Sequence, residues 1–417
     1  MPGFDAIPHT LSPPSLPHSR SGGRAQARTK QRRQASAAEA PAPPTQRLPN
    51  LRAAFSCNSL APFVHSIVEM LPYKGYSDSK FFICSYDQVE YLTKVAFCRK
   101  THPEIHKDFD PEANPADVEV KVLRALKEYI IGANISPCIL ELIFVQRCPI
   151  DQLIPPRRVC EDLTTKISTM HTTEFINNLF CKYNELVKHG IAYPTVNFLV
   201  LEECQITLRD YMRTLVDISA LSFDIFKSML FQIIYTLFRI SCIWPKFTHG
   251  DLHTDNIMFK FMEVQRFEFA RPKHLVFKCP AGLRPTFHIL ESNAAAGPAT
   301  FSVPYYGFVA KIIDFGFSSI PEMGIQSSIS HDPTIGIVRN QNDLLFLFHD
   351  LHNLAGNNRK ILQLLEQLEP TRAYTHLNKT HIQENAAAIA TYADMVFSDV
   401  FADYRAATPV AAWHTYN

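Results

Sequence analysis

The 417-residue sequence has no excess of charge of either sign, no CxxC pair and no apolar leader. Its net charge of +1, from 41 Lys and Arg against 40 Asp and Glu, gives no basis for wholesale binding to nucleic acid or to an anionic membrane. Ten cysteines are scattered without a Cys/His cluster at zinc spacing, so they read as reduced thiols of an intracellular protein. A secretory signal would need an apolar run that the N-terminus does not show. The most apolar long stretch, Phe226 to Trp244, holds Lys227 and Arg239 in its interior and repeats with helical period. It therefore reads as a core helix and not as a membrane span. The hydrophobic fraction of 46% is that of a chain with a substantial core.

Residues 1–52 are rich in Pro, Ser, Ala and Arg and poor in large apolar side chains. Such a segment buries too little surface to offset its ordering entropy, and a disordered tail is expected. Its basic run, Arg24 to Arg33, reads as a solvated stretch, with a nuclear-localisation or nucleic-acid patch as the rival. Further on, Phe81-Phe82-Ile83 and Tyr91 to Phe97 have strand character. Asn114-Pro115 opens a helix whose apolar stripe is Val118, Val122, Leu126 and Ile130. Phe198 to Leu201 reads as a short buried strand. Beyond residue 205 the pattern turns helical: Ser222 is placed to cap a helix ended by Pro245, and two more helices are expected at 342–353 and 359–369.

The chemistry concentrates in two strings. One is His249-Gly250-Asp251-Leu252-His253-Thr254-Asp255-Asn256-Ile257-Met258; the other is Ile312-Ile313-Asp314-Phe315-Gly316. Transfer of a γ-phosphoryl group needs a carboxylate to orient the attacking hydroxyl, oxygen ligands for magnesium and positive charge on the phosphates. Asp251 and Asn256, five apart, suit a loop with the carboxylate toward the acceptor and the amide toward a metal. Asp314 ends an apolar strand, and Gly316 permits a sharp turn after it. Either string alone arises by chance; their joint occurrence in this order is the informative signal.

At these residues the sequence resembles the protein-kinase superfamily, and in detail the divergent serine/threonine kinases of large nucleocytoplasmic DNA viruses. The segments Phe231 to Leu237, Trp244 to His249 and Val303-Pro304-Tyr305-Tyr306-Gly307 are similar to that group. The resemblance implies an α+β, bilobed kinase-like fold. It places an antiparallel-sheet N-lobe with one helix at 53–203 and a mostly helical C-lobe at 204–417, with an insertion at 261–310. It implies ATP and Mg²⁺ as cofactors and a protein carrying a Ser or Thr hydroxyl as partner. No specific nucleic-acid or membrane partner is expected. The implied location is the cytoplasm, or the virion if the protein is viral, with a nuclear location open through the basic tail.

Residue by residue, the resemblance assigns Asp251 as catalytic base and Asn256 and Asp314 as metal ligands. It calls for an N-lobe lysine paired with a helix glutamate. Glu119 is the natural glutamate. Lys94 fits the lysine by its apolar strand flanks, and Lys100 is the rival by spacing. The backbone of Glu202 and Cys204 would hold adenine at the hinge, with Leu201 as gatekeeper. Asp343 matches the aspartate that braces the catalytic loop.

Four departures stand against the family pattern. The glycine loop Gly75 to Phe81 keeps one glycine. Gly250 replaces an arginine, which removes the usual partner of a phosphorylated activation loop. His253 stands where a phosphate-neutralising lysine is usual, as in the aminoglycoside and choline kinases. The stretch after Gly316 lacks an Ala-Pro-Glu signature. A small-molecule phosphotransferase and a pseudokinase scaffold therefore remain as alternative readings.

Overall fold

The computed structural model describes residues 51, 56–71, 79–99, 115–153, 172–215, 220–261, 273–279, 299–327, 343–375, 390–405 and 412–416. These lie in one compact unit, Thr45–Asn417. All of the expected disordered tail except Leu51 lies outside the described residues, as do Gly75, Lys100 and the stretch 280–298.

The N-lobe is built on five antiparallel strands: β1 (Ile67–Met70), β2 (Lys80–Tyr86), β3 (Val89–Arg99), β4 (Leu142–Pro149) and β5 (Ala192–Glu202). Their order is β1-β2-β3-β5-β4. Asp87 and Gln88, both at positive φ, make the two-residue turn between β2 and β3. β3 and β5 read as nearly continuous apolar runs because both faces of the sheet are covered. On the inner face Leu92, Ala96, Leu199 and Leu201 pack with the helix α2 (Pro115–Leu126). On the outer face Val95, Phe97, Phe198 and Val200 meet Phe63 of α1 (Ala61–Ser66). After α2 the chain continues through one wider π-type turn to Ile131.

The outer layer holds elements that the sequence reading did not mark. The β4–β5 connection carries the short α3 (Ile150–Leu153) and the long α4 (Thr172–Lys188). Ile176, Phe180 and Tyr183 of α4 repeat at helical spacing and are buried. Leu51, assigned by composition to the tail, is 1% exposed in the same cluster. Cys57 and Cys148 are joined by a disulfide with Cα atoms 5.1 Å apart, and Cys181 is disulfide-bonded too. This corrects the reading of the cysteines as reduced; partners 91 residues apart leave no local spacing to notice. Cys84, Cys138 and Cys204 are buried thiols.

The C-lobe is organised around α6 (Ala220–Ile243), which starts two residues before Ser222, the expected cap. Phe226, Leu230, Ile233 and Leu237 of α6 are all but fully buried. Among the described residues α6 is the one helix long and apolar enough to cross a bilayer, and most of it is buried inside the protein. Around it lie α5 (Leu208–Leu215), α7 (Asp343–Ala355), α8 (Arg359–Leu368) and α9 (Tyr392–Val396). A small sheet of β10 (Phe308–Ile312), β7 (Ile257–Phe261) and β6 (Ile206–Thr207) carries the ends of both sequence strings. The insertion supplies β8 (Lys273–Cys279) and β9 (Ala299–Tyr305), and a C-terminal strand β11 (Ala412–Tyr416) adds to β8 in parallel. The β8–β9 pair runs antiparallel, with Lys273 opposite Tyr305 and Cys279 opposite Ala299.

Candidate active site

Strand alternation decides where Lys94 goes. On β3, Leu92 and Ala96 face the inner cluster while Tyr91, Val95 and Phe97 face the outer one, so Lys94 shares the inner, cleft-side face. Its Nζ lies 2.7 Å from Glu119 Oε2 on α2 and 3.0 Å from Asp314 Oδ1. Lys94 and Glu119 are both nearly inaccessible to solvent, whereas Asp314 keeps about a third of its side chain exposed, 38%. Burial works against charge on Lys94, but Asp314 and then Glu119 outweigh it and hold the ammonium's pKa above its ordinary value. The Phe81 ring, 5.5 Å from Nζ, adds a further favourable contact.

The catalytic loop is fixed from beneath by α7. The Asp343 carboxylate accepts the amides of His249 at 2.6 Å and Gly250 at 3.0 Å. Burial lifts the pKa of Asp343, and the neighbouring His249 with the two amides opposes the lift. The fully buried His249 ring spans the site: Nε2 is 2.9 Å from the Ile313 carbonyl, and Nδ1 accepts the Asp251 amide at 3.3 Å. These contacts place the proton on Nε2 and tie the residue before Asp314 to the residue two before Asp251.

Asp251, Asn256 and Asp314 converge. Asn256 Nδ2 donates to the Asp251 carbonyl at 2.8 Å and lies 3.5 Å from Asp251 Oδ2. The Asn256 carbonyl accepts the Ile313 amide at 3.0 Å, because β7 and β10 pair Ile257 with Ile312. Asp314 itself adopts the left-handed conformation, φ 60 and ψ 69, a local strain held by its neighbours. Phe315 is fully buried against the His249 ring, and Gly316 comes within 3.3 Å of the Pro115 side chain by its would-be Cβ. The turn after Asp314 is therefore packed onto the start of α2, the helix that carries Glu119.

His253 sits at the edge of this group, with Nε2 3.6 Å from Asp251 Oδ2 and 3.2 Å from Asn256 Nδ2. Burial disfavours its charge, yet the hydrogen bond and charge of Asp251, with Asp255 and Asp350, hold its pKa above 6.5. At the hinge, Leu201 is buried opposite Leu92, and Cys204 is buried. The Glu202 amide, one of the expected hinge donors, is committed to the Glu141 carbonyl at 3.1 Å. The Glu202 side chain turns inward, where Lys260 and Lys311 each approach it to 2.6 Å and the Glu141 amide to 2.7 Å. The sequence reading assigned no role to these lysines; their only signal was two lysines within apolar strands.

Among the described residues no group of three or more His, Cys, Asp or Glu is arranged to hold a metal by itself. One carboxylate and one amide, Asp314 and Asn256, are oxygen donors of the kind a hard divalent cation takes.

No family model matches the sequence. The chain is 24% identical over 243 residues to a curated protein of Acanthamoeba polyphaga mimivirus named "Putative serine/threonine-protein kinase R400". The match takes in 58% of this chain and 44% of the viral protein, so it spans less than half the length of that relative. Among solved structures, WaaP in complex with acyl carrier protein aligns at a TM-score of 0.34 and 10% identity, over 78% of this chain and 86% of that one. The sheet order, the lysine–glutamate pair and the viral relative make this chain a divergent kinase-like protein.

Proposed function

We propose that the chain is an ATP- and Mg²⁺-dependent protein kinase acting on Ser or Thr hydroxyls. One observation carries the reading: Lys94 joins Glu119 to Asp314, and the Ile313 amide before Asp314 bonds the carbonyl of Asn256, whose side chain holds Asp251. A scaffold gains nothing in stability from setting two carboxylates, Glu119 and Asp314, on one buried ammonium, which argues for phosphotransfer over a pseudokinase.

In the reaction, Lys94 grips the α- and β-phosphates and Glu119 keeps its ammonium aimed. Asn256 and Asp314 would hold Mg²⁺, which when bound neutralises charge on the β- and γ-phosphates. Asp251 accepts a hydrogen bond from the acceptor hydroxyl, orients it for in-line attack and takes up its proton. His253, carrying a proton more readily than an ordinary histidine, supplies positive charge beside the transferring group, where other kinases use lysine. The hinge holds adenine through the Glu202 carbonyl and the Cys204 amide, with Leu201 behind it.

His253 in this place also supports a second reading, a small-molecule phosphotransferase. Incubation with γ-labelled ATP, Mg²⁺ and either generic acceptor proteins or aminoglycoside and choline acceptors separates the two. Label on Ser or Thr of protein is the expected result; label on the small acceptors alone selects the second reading. Label on none of them, in the wild-type chain, defeats both.

A further inference from the structure

The helix α7 reaches the catalytic loop at two points. Asp343 takes the His249 and Gly250 amides; seven residues on, Asp350 Oδ2 takes the Thr254 amide at 2.9 Å and also accepts the Thr254 hydroxyl. A separation of seven residues is about two turns, or ~10 Å of rise, so both carboxylates stand on one face of α7. Each grips one end of the same loop.

Arg209, in the first turn of α5, closes the second grip. Its Nη2 lies 3.1 and 3.2 Å from the two Asp350 oxygens. Its Nε lies 2.7 Å from Asp255 Oδ2, an ion pair off the hydrogen-bond direction. One guanidinium thus ties together Asp350 and Asp255, and it balances two carboxylates in a neighbourhood that already holds Asp251. Thr254 is fully buried beneath this group. The residues held, Thr254 and Asp255, form one tight turn with Asn256, whose amide donates back to the His253 carbonyl at 2.9 Å.

We infer that Asp350 and Arg209 are positioning residues for the metal amide: they fix the Thr254–Asn256 turn and thereby set where the Asn256 side chain points. The inference rests on the kinase reading above and adds to it the two groups, distant in sequence, that prepare the metal site. Asp343 secures the Asp251 end of the loop, and Asp350 with Arg209 secures the Asn256 end.

The test uses the full chain with Asp350→Ala, Asp350→Asn and Arg209→Ala. Two readouts are taken: half-saturating Mg²⁺ for phosphotransfer at saturating ATP, and peptide-level amide hydrogen exchange over 249–257. Asp350→Ala is expected to raise half-saturating Mg²⁺ by ~10-fold or more, the scale of lost outer-sphere support at metal sites. Most of kcat should return at excess Mg²⁺. Exchange should accelerate at Thr254–Asn256 and hold at His249–Gly250. Asp350→Asn, which keeps an acceptor for the Thr254 amide but loses the ion pair, should fall between, as should Arg209→Ala. If Asp350→Ala does not fold, these two variants carry the test. A wild-type Mg²⁺ half-point, with or without a lower kcat, overturns the inference, as does unchanged exchange at 254–256. Absence of Mg²⁺-dependent transfer in the wild type defeats the kinase reading instead. The exchange at 254–256 then decides alone whether Asp350 sets the turn.

Discussion

A Cβ placed on Gly250 would stand 2.3 Å from the carbonyl oxygen of Phe317, and Gly250 itself has φ +80. The catalytic loop passes so close to the segment after Asp314 that no side chain fits between them. Ser318 reinforces this approach by donating its hydroxyl to the His249 carbonyl at 2.9 Å. Glycine at position 250 is thus required by the backbone of this chain.

Gly250→Ala should therefore be strongly destabilising. The left-handed conformation alone costs about 1–2 kcal/mol for a residue with a Cβ, and the clash with Phe317 adds to it. The expected result is a lower thermal midpoint and loss of transfer, since Asp251 is the next residue. Gly250→Arg should do the same and confer no response to phosphorylation. A stable, active Gly250→Arg protein would show that the loop relaxes more readily than its packing implies.

The Lys94–Glu119 pair gives a second expectation. Lys94→Ala leaves Glu119, 3% exposed, with its main counter-charge gone; losing one member of a buried pair costs about 3–5 kcal/mol. ATP affinity should drop together with stability. In the Lys94→Ala/Glu119→Ala double variant part of the stability should return while nucleotide binding does not. Denaturant melts beside ATP titrations separate the two effects, and strictly additive stability losses would count against a coupled pair.

Glu202 sets a pH dependence. Burial raises its pKa, but Lys311 and Lys260 outweigh burial and the carboxyl stands below its ordinary 4.5. A depressed carboxylate stabilises the folded state above its unfolded pKa. That contribution is lost as pH falls through the folded value. The wild type should thus lose stability below about pH 4.5 partly through this group, and Glu202→Gln should be weaker at neutral pH with a flatter acid limb. Melting curves from pH 7 to pH 3 check this; parallel curves for the two proteins would remove Glu202 from the acid response.

The Cys57–Cys148 disulfide closes a loop of 91 residues. On chain entropy such a link contributes about 4–5 kcal/mol. Peptide mapping without reductant should recover the two cysteines in one linked species, and Cys57→Ser should lower the thermal midpoint in non-reducing buffer only. Equal midpoints with and without reductant would argue that the bond contributes little.

How much of this was legible in the sequence depended on the range of each interaction. Asp251 and Asn256 lie in one ten-residue string, and Asp314 ends a strand that reads as buried, so their chemistry shows locally. Lys94 was reachable because strand alternation places it among Leu92 and Ala96. Asp350 looks like any polar residue on a helix; its meaning comes from Thr254 and Arg209, 96 and 141 residues away. The inward turn of Glu202 needs Lys260 and Lys311 on strands that only the fold brings beside it. The helix α4 shows an apolar stripe, but its role in covering the outer sheet face is visible only once β3 and β5 are paired.

The most direct measurement is single-turnover transfer of the γ-phosphoryl group by the wild type and by Asp251→Ala, with bound Mg²⁺ and ATP quantified in each. The expected outcome is that both proteins bind nucleotide alike, while transfer by Asp251→Ala falls by about 10²–10⁴-fold. Equal transfer rates in the two proteins would contradict the assignment of Asp251 and, with it, the phosphotransfer site described around Lys94, Asn256 and Asp314.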